Sequence, residues 1–321
     1  MAESIDSRRS AVVLVFLAVL ASVAAFAFLT IDLGPNWSYA VGLRTQKLAA
    51  LVLVAYAIAT STVVLQTITE NRILTPSILG FDAFYILIQT ILAYGFGHLS
   101  ISNTNPQILF LLQTGIMVGA SVLIYRWMLD GRKRDLQFVA LAGLMFGILL
   151  RSVSNLLQRV IDPGEFAVLQ DRMFASFNLV HADLLGMSAI LIGVASLIGW
   201  RMRSDLDVLA LGRDTAINLG LDYTRAARVA LFLVSVLVSV STALVGPVTF
   251  FGLLVAHLAY RIAGTHRHAF ILPSAVFIAS ITLIAGQFML ERLFAFTTSL
   301  SIVIEFFGGM VFLFLITRRA T

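Results

Sequence analysis

The sequence predicts an all-helical protein that crosses a lipid bilayer about ten times. Three observations carry this. The chain is 59% hydrophobic and only 12% charged, with mean hydropathy +0.95, whereas soluble domains are nearer half apolar and a quarter charged. Apolar runs of roughly the 20 residues that a crossing helix needs recur along its length. The basic residues gather in alternate connections between those runs, as membrane topology requires.

The runs fall at roughly 11–31, 46–68, 78–97, 107–129, 137–157, 184–200, 227–245, 247–260, 270–290 and 299–317. The first follows Ser7-Arg8-Arg9-Ser10, which resembles the start of a signal peptide. No small-residue cleavage site closes it, so it is read as a retained span. The sixth and eighth are short, and the eighth is expected to start on a hinge at Gly246-Pro247. With the N-terminus in the cytoplasm, sixteen of the 22 Lys and Arg residues fall inside and six in the outer half. An odd number of spans would strand Arg318 and Arg319 outside. The longest outer connection, 158–183, contains the turn signal Asp162-Pro163-Gly164 and is expected to carry a short surface helix. Gly115 with Gly119, and Gly143 with Gly147, have the spacing for close helix packing.

One stretch does not belong in a bilayer. Residues 201–228, RMRSDLDVLALGRDTAINLGLDYTRAAR, are polar and of mixed charge. They read as two short helices broken at Leu211-Gly212 between the sixth and seventh spans. Ser204 is the expected cap of the first, Asp214 or Thr215 that of the second, and Gly220 ends it. By the charge count this double helix faces the cytoplasm. No soluble domain accompanies it, so the chain is one membrane domain over 1–321.

Several functions lose their footing. The chain has no cysteine, so no disulfide and no thiolate metal site is available. It contains no GxxxxGK[ST], HExxH or GxSxG, which leaves an enzyme no constellation and nucleotide phosphates no cradle. The net charge of +5 belongs to the membrane topology, so the bilayer is the partner and nucleic acid is not. The five histidines are scattered. His266-Arg267-His268 is expected to be a solvated cationic loop on the inner face rather than a metal site. No cofactor and no catalytic residue is expected.

Three stretches carry a specific resemblance. They are QTITENRILTPSILG from Gln66 to Gly80, LALGRDTAINLGLDYTR within the polar island, and VGPVTFFGLLVAHLAYRIAGTHR from Val245 to Arg267. In this order and at these separations the chain resembles the permease subunit of type II binding-protein-dependent ABC importers for iron–siderophore complexes, haem and cobalamin. The first stretch keeps Gln66, Asn71, Pro76 and Gly80; the second keeps Leu209, Leu211, Gly212, Ala216, Leu219 and Gly220; the third keeps Gly246, Pro247, Phe250, Gly252, Leu253 and His257. It departs with Arg72-Ile73-Leu74 where Pro-Leu-Ala is usual, and with Ala256 in place of a proline. The form ENRILTPSILGFD is similar to the catecholate-type siderophore branch.

That resemblance implies roles. Leu209, Leu211, Gly212, Arg213, Ala216, Leu219 and Gly220 would couple the chain to separate ATPase subunits. Asn71 and Ile73 would belong to a cytoplasmic gate. Arg44, Lys47 and Arg292 would meet acidic groups on a periplasmic or surface-anchored binding protein, although helix-end anchoring is an alternative reading of the same cations. A second permease chain would complete the transporter, a heterodimer being favoured over a homodimer. The imported species would be a ferric siderophore, with haem or cobalamin as alternatives.

Two charges depart from the family pattern. Arg151 lies in the fifth span and Glu305 in the tenth. Counting about 1.5 Å per residue puts them roughly 22 Å and 20 Å from the inner ends of their spans. Charges at that depth are costly, so the two are expected either to pair or to face a wet pathway. Outside the family, an ion-coupled secondary transporter would need several buried acids and broken helices; here only Glu305 qualifies clearly.

Overall fold

The computed structural model describes residues 2–31, 37–102, 104–129, 136–178, 180–293 and 298–317. Among them are thirteen helices and no strand. The long ones are α1 (Ala2–Thr30), α2 (Trp37–Ile68), α3 (Phe81–Ser102), α4 (Pro106–Leu129) and α5 (Leu136–Gln158). After them come α6 (Pro163–Arg172), α7 (Ala182–Arg201), α8 (Arg203–Leu209) and α9 (Arg213–Asn218). The chain then continues through α10 (Tyr223–Val245), α11 (Phe251–Ala263), α12 (His268–Arg292) and α13 (Leu300–Thr317).

Each of the ten expected runs corresponds to one helix, but seven of these are long and apolar enough to cross a membrane. Of the other three, α3 and α11 carry shorter apolar stretches, Phe81–Gly97 and Phe251–Ala263, and α13 is apolar over its described side chains, Leu300–Met310. The backbone explains two of the short ones. α3 is kinked at Gly97, where φ is +66°. α11 starts at Phe251, not at 247, because the chain spends residues 246–250 outside a helix. Gly246 sits at φ +98° and Phe250 in the left-handed region at +54°, leaving α11 with 13 residues. That is about 20 Å of helix against a hydrocarbon core of about 30 Å.

α2 and α10 form the centre. α2 packs against α10 and α12, α10 also against α4 and α7, and α1 lies outside against α12. Their buried faces are built from small and branched residues such as Ala55, Ala59, Val63, Ala230, Val234 and Val240. In lipid, where apolar burial gains little, small residues let helices approach closely.

The two glycine pairs differ. Gly143 and Gly147 on α5 receive the backbone of Gly80, so closely that a Cβ on Gly80 would lie 2.8 Å from the Gly147 Cα. Gly115 and Gly119 have nothing within 4 Å of such a Cβ; the packing expected of them is not made among the described residues. The outer helix expected after Asp162 is α6. The Asp162 carboxylate accepts from the Gly164 N–H at 2.8 Å, and Pro163 occupies the first turn, where no amide proton is needed.

The polar island is two helices, α8 and α9, broken at Gly212 with φ +91°. Its caps differ from the expectation. α8 follows α7 almost directly through Met202, so Ser204 caps nothing; α9 starts on Gly212 without a side-chain cap, and Asp214 and Thr215 lie inside it. Asp214 still favours that terminus by charge. The side-chain cap lies further on, where Asp222 accepts from Arg225 N at 3.1 Å and starts α10.

A candidate transport site at two ends of the bundle

α7 links two ends of the molecule. Its C-terminal end leads into α8 and α9. These are fixed to the bundle by Leu206, Leu209 and Ala216, all buried. Leu211 and Leu219 point outward, 58% and 62% exposed, with Ile217 beside them. Together they leave an apolar patch on an otherwise polar hairpin. Arg213 is held over the Tyr223 ring at 5.7 Å. The positive φ at Gly212 and Gly220 (+91° and +87°) lets the backbone reverse at both ends of α9.

The loop after α2 lies against this hairpin. A Cβ on Gly212 would sit 3.5 Å from a Glu70 carboxylate oxygen. Three bonds among those that tie the loop involve Gln66, Asn71 and Ile73. Asn71 N donates to the Gln66 carbonyl at 3.2 Å, Gln66 Nε2 donates to the Arg72 carbonyl at 2.7 Å, and Ile73 N donates to the Asn71 side chain at 3.0 Å. Arg72, standing where the family has proline, stacks on Tyr260 of α11 at 4.9 Å. Ile73 projects from the loop, 60% exposed. Residues expected in the gate and in the coupling hairpin are thus neighbours.

His268 departs from its expectation. His266 and Arg267 are exposed, but His268 is only 2% exposed and opens α12. Its backbone N–H and ring Nδ1 both meet the Asp207 carboxylate of α8, at 2.7 and 2.6 Å. Its Nε2 lies 2.7 Å from the Thr67 hydroxyl of α2. Residues facing solvent by sequence neighbourhood can still be buried by a helix from elsewhere.

At the other end, a cavity of about 820 Å³ opens between α3, α4, α6, α7, α10, α12 and the start of α13. Its polar lining includes Gln89, Gln113, Arg172, Asn178 and Gln287. Arg172 donates to Gln89 at 3.2 Å. Gln287 donates to Asn178 at 3.1 Å and to Glu291 at 3.0 Å. The amide nitrogen of Gln113 and the amide oxygen of Gln287 are buried without a protein partner. Both side chains stand on the cavity wall, and buried polar atoms without a partner are rare in folded proteins. The sequence reading missed these residues, although glutamines at 89, 113 and 287 inside apolar runs were a visible signal.

The three expected docking cations also come together near this end. Arg44 donates to the carbonyls of Phe28 and Ile31, at 3.2 and 2.6 Å, and Arg292 donates to the same Ile31 carbonyl at 3.1 Å. Both thereby neutralise the C-terminal end of α1, where helix carbonyls lack partners. Lys47 is paired with Glu291 at 2.9 Å, both largely buried. Through Glu291 and Gln287 that pair reaches the cavity wall.

Arg151 and Glu305 form no ion pair with each other among the described residues. The Glu305 carboxylate accepts from the Thr249 hydroxyl, in the loop before α11. Arg151 lies exposed on the uncovered face of α5. Both are near enough to the buried carboxylate of Asp82, in the first turn of α3, for their charges to be felt there.

A family model for the FecCD transport family matches residues 11–318. The petrobactin import system permease protein YclO of Bacillus subtilis is 45% identical over 300 residues, covering 94% of this chain and 95% of its own. A second petrobactin import system permease protein of the same organism, YclN, is 22% identical, covering 86% of this chain and 85% of its own. A solved structure described as a metal-chelate type ABC transporter in an inward-facing conformation superposes with TM-score 0.84 at 20% identity. It covers 96% of this chain and 99% of that one, and so shares the fold. With its three sequence stretches brought to a loop, a hairpin and a hinge of one helical bundle, and matched along almost its whole length, the chain belongs to the FecCD transport family.

Proposed function

We propose that this chain is the multi-pass permease of an ABC importer that carries a ferric siderophore of the petrobactin kind across the cytoplasmic membrane. The observation that carries this is the cavity between α3, α4, α6, α7, α10, α12 and the start of α13. Its polar lining combines the amides of Gln89, Gln113, Asn178 and Gln287 with Arg172, Asp171 and His181. A ferric siderophore is a bulky, oxygen-rich, anionic chelate. Amide N–H groups and Arg172 are suited to its oxygens and charge, because donors to an anion make stronger bonds than neutral pairs. The names of the relatives add the substrate class.

In this reading ten helices cross the bilayer, with α3 and α11 as the short ones, and both termini are cytoplasmic. Leu211 and Leu219, with Leu209, Gly212, Arg213, Ala216 and Gly220 behind them, form the surface on which a separate ATPase subunit acts. Asn71 and Ile73 close the cytoplasmic end. Arg44, Lys47 and Arg292 set the shape of the outer surface that a binding protein meets, acting through the Ile31 carbonyl and Glu291. Arg151 and the exposed face of α5 are covered by a second permease chain or a wet pathway. Two differently related petrobactin permeases in one organism support a heterodimer.

The test is uptake of radioactive iron as ferric petrobactin by cells lacking their own permease pair, supplied with this chain and its paralogue. ATP-dependent uptake supports the proposal. Its absence from cells that carry the chain in the membrane, or uptake abolished by ionophores alone, overturns it.

A further inference from the structure

We infer that Asp207, His268 and Thr67 form a strut through which the α8–α9 hairpin moves the membrane helices α12 and α2. This rests on the reading of the chain as an ATPase-driven permease and adds residues to which the sequence resemblance gave no role.

Much of the hairpin's other attachment is apolar. Leu206 and Leu209 are buried, but dispersion and apolar burial have no preferred direction, so such a surface can slide. The Asp207 carboxylate is different. One of its oxygens accepts two N–H donors of His268, the backbone amide at 2.7 Å and Nδ1 at 2.6 Å. The first of these is among the orphan donors of the α12 N-terminus. Asp207 thus caps α12 from another helix, and the ring bond at the same oxygen fixes the angle of approach. Bonds to an ionised acceptor are short, directional and stronger than neutral ones.

The far side of the ring continues the chain of bonds. Nε2 lies 2.7 Å from the Thr67 hydroxyl, which also lies 2.8 Å from the Val63 carbonyl one turn back in α2. If the hydroxyl proton is on the Val63 carbonyl, both ring nitrogens donate and the ring is a cation. If that proton turns toward Nε2, the ring is neutral with its proton on Nδ1. In both arrangements the bond from Nδ1 to Asp207 keeps its direction. Enclosed by three helices and 2% exposed, the ring has no water to exchange these partners for.

What the strut moves gives it a function. Thr67 lies four residues before Asn71, and Asn71 N is bonded to the Gln66 carbonyl next to Thr67. A push on α8 reaches Thr67 through His268, and the loop of Asn71 and Ile73 starts there. Glu70, beside Gly212, makes a second contact between hairpin and loop. Asp207, His268 and Thr67 are positioning residues for gating; none of them lines the cavity that would hold the solute.

The experiment uses the whole transporter in proteoliposomes. It measures ferric petrobactin taken up per ATP hydrolysed, alongside co-purification of the ATPase. D207A and H268A are expected to lower uptake per ATP about tenfold, while ATPase capture and basal hydrolysis stay within about twofold. D207N, which keeps an acceptor oxygen, is expected to restore most of the ratio. T67V has the same shape without the hydroxyl and is expected to give an intermediate loss. It reads the same strut if D207A does not accumulate. A role in stability alone would reduce the amount of transporter but not its uptake per ATP. An unchanged ratio in both T67V and H268A would overturn the strut. If the unaltered chain captures no ATPase or shows no ATP-dependent uptake, the permease reading fails instead.

Discussion

Replacing Gly80 with alanine tests the close packing that holds the loop after α2 against α5. The added Cβ would lie 2.8 Å from the Gly147 Cα and 3.2 Å from the Gly147 N, both backbone atoms that cannot rotate away. Gly80 also has φ +94°, where an L side chain is strained whatever the space. Left-handed strain costs about 1–2 kcal/mol and forcing extra volume into packed structure about 1–3 kcal/mol, so a loss of about 2–5 kcal/mol is expected. G115A is the internal control. Its Cβ meets nothing within 4 Å, and alanine is favoured over glycine inside a helix by about 0.5–1 kcal/mol. Both variants would be purified in detergent and unfolded with denaturant beside the unaltered chain. G80A should unfold well before it, and G115A at or after it. If G80A falls within about 0.5 kcal/mol of the unaltered protein, or G115A is the weaker of the two, the glycine argument is wrong.

Other expectations follow from the same geometry. L219D and L211D should abolish capture of the ATPase, read by co-purification, without reducing the amount of chain in the membrane, because both side chains are exposed. Q113L should lower uptake of ferric petrobactin several-fold through a raised KM while leaving thermal stability equal or higher. It removes a buried amide whose nitrogen has no protein partner. K47M alone should destabilise by about 3–5 kcal/mol, since it leaves the Glu291 carboxylate largely buried without its cation; the double variant K47M/E291L should recover most of that loss in the same unfolding assay.

The order and type of the helices were legible because a crossing helix must satisfy its own backbone in an apolar run of known length. The breaks at Gly212 and Gly246 were legible because their positive φ selects glycine. Cap positions were less so. Ser204 looked like a start, but α7 passes into α8 through Met202, since a tertiary anchor such as Leu206 overrides a local cap. The extent of α11 was misread because Phe250 adopts a left-handed backbone that its own sequence does not favour.

The candidate site divided in the same way. Residues 209–220 and 71–73 stood out because they lie in short stretches that resemble the family's. The partners of Lys47 and His268 did not, because Glu291 is 244 residues away and Asp207 is 61. The sequence by itself determined that this is a helical membrane protein with a polar hairpin between its sixth and seventh long apolar runs. Periodicity and hydropathy act over tens of residues, and the bilayer enforces them. Only the tertiary structure decided that Gln89, Gln113 and Gln287 share one cavity, that Arg44 and Arg292 share one carbonyl, and that a histidine expected in solvent joins three helices. Such encounters depend on how helices cross, and crossing is set by side-chain packing between segments far apart in the chain.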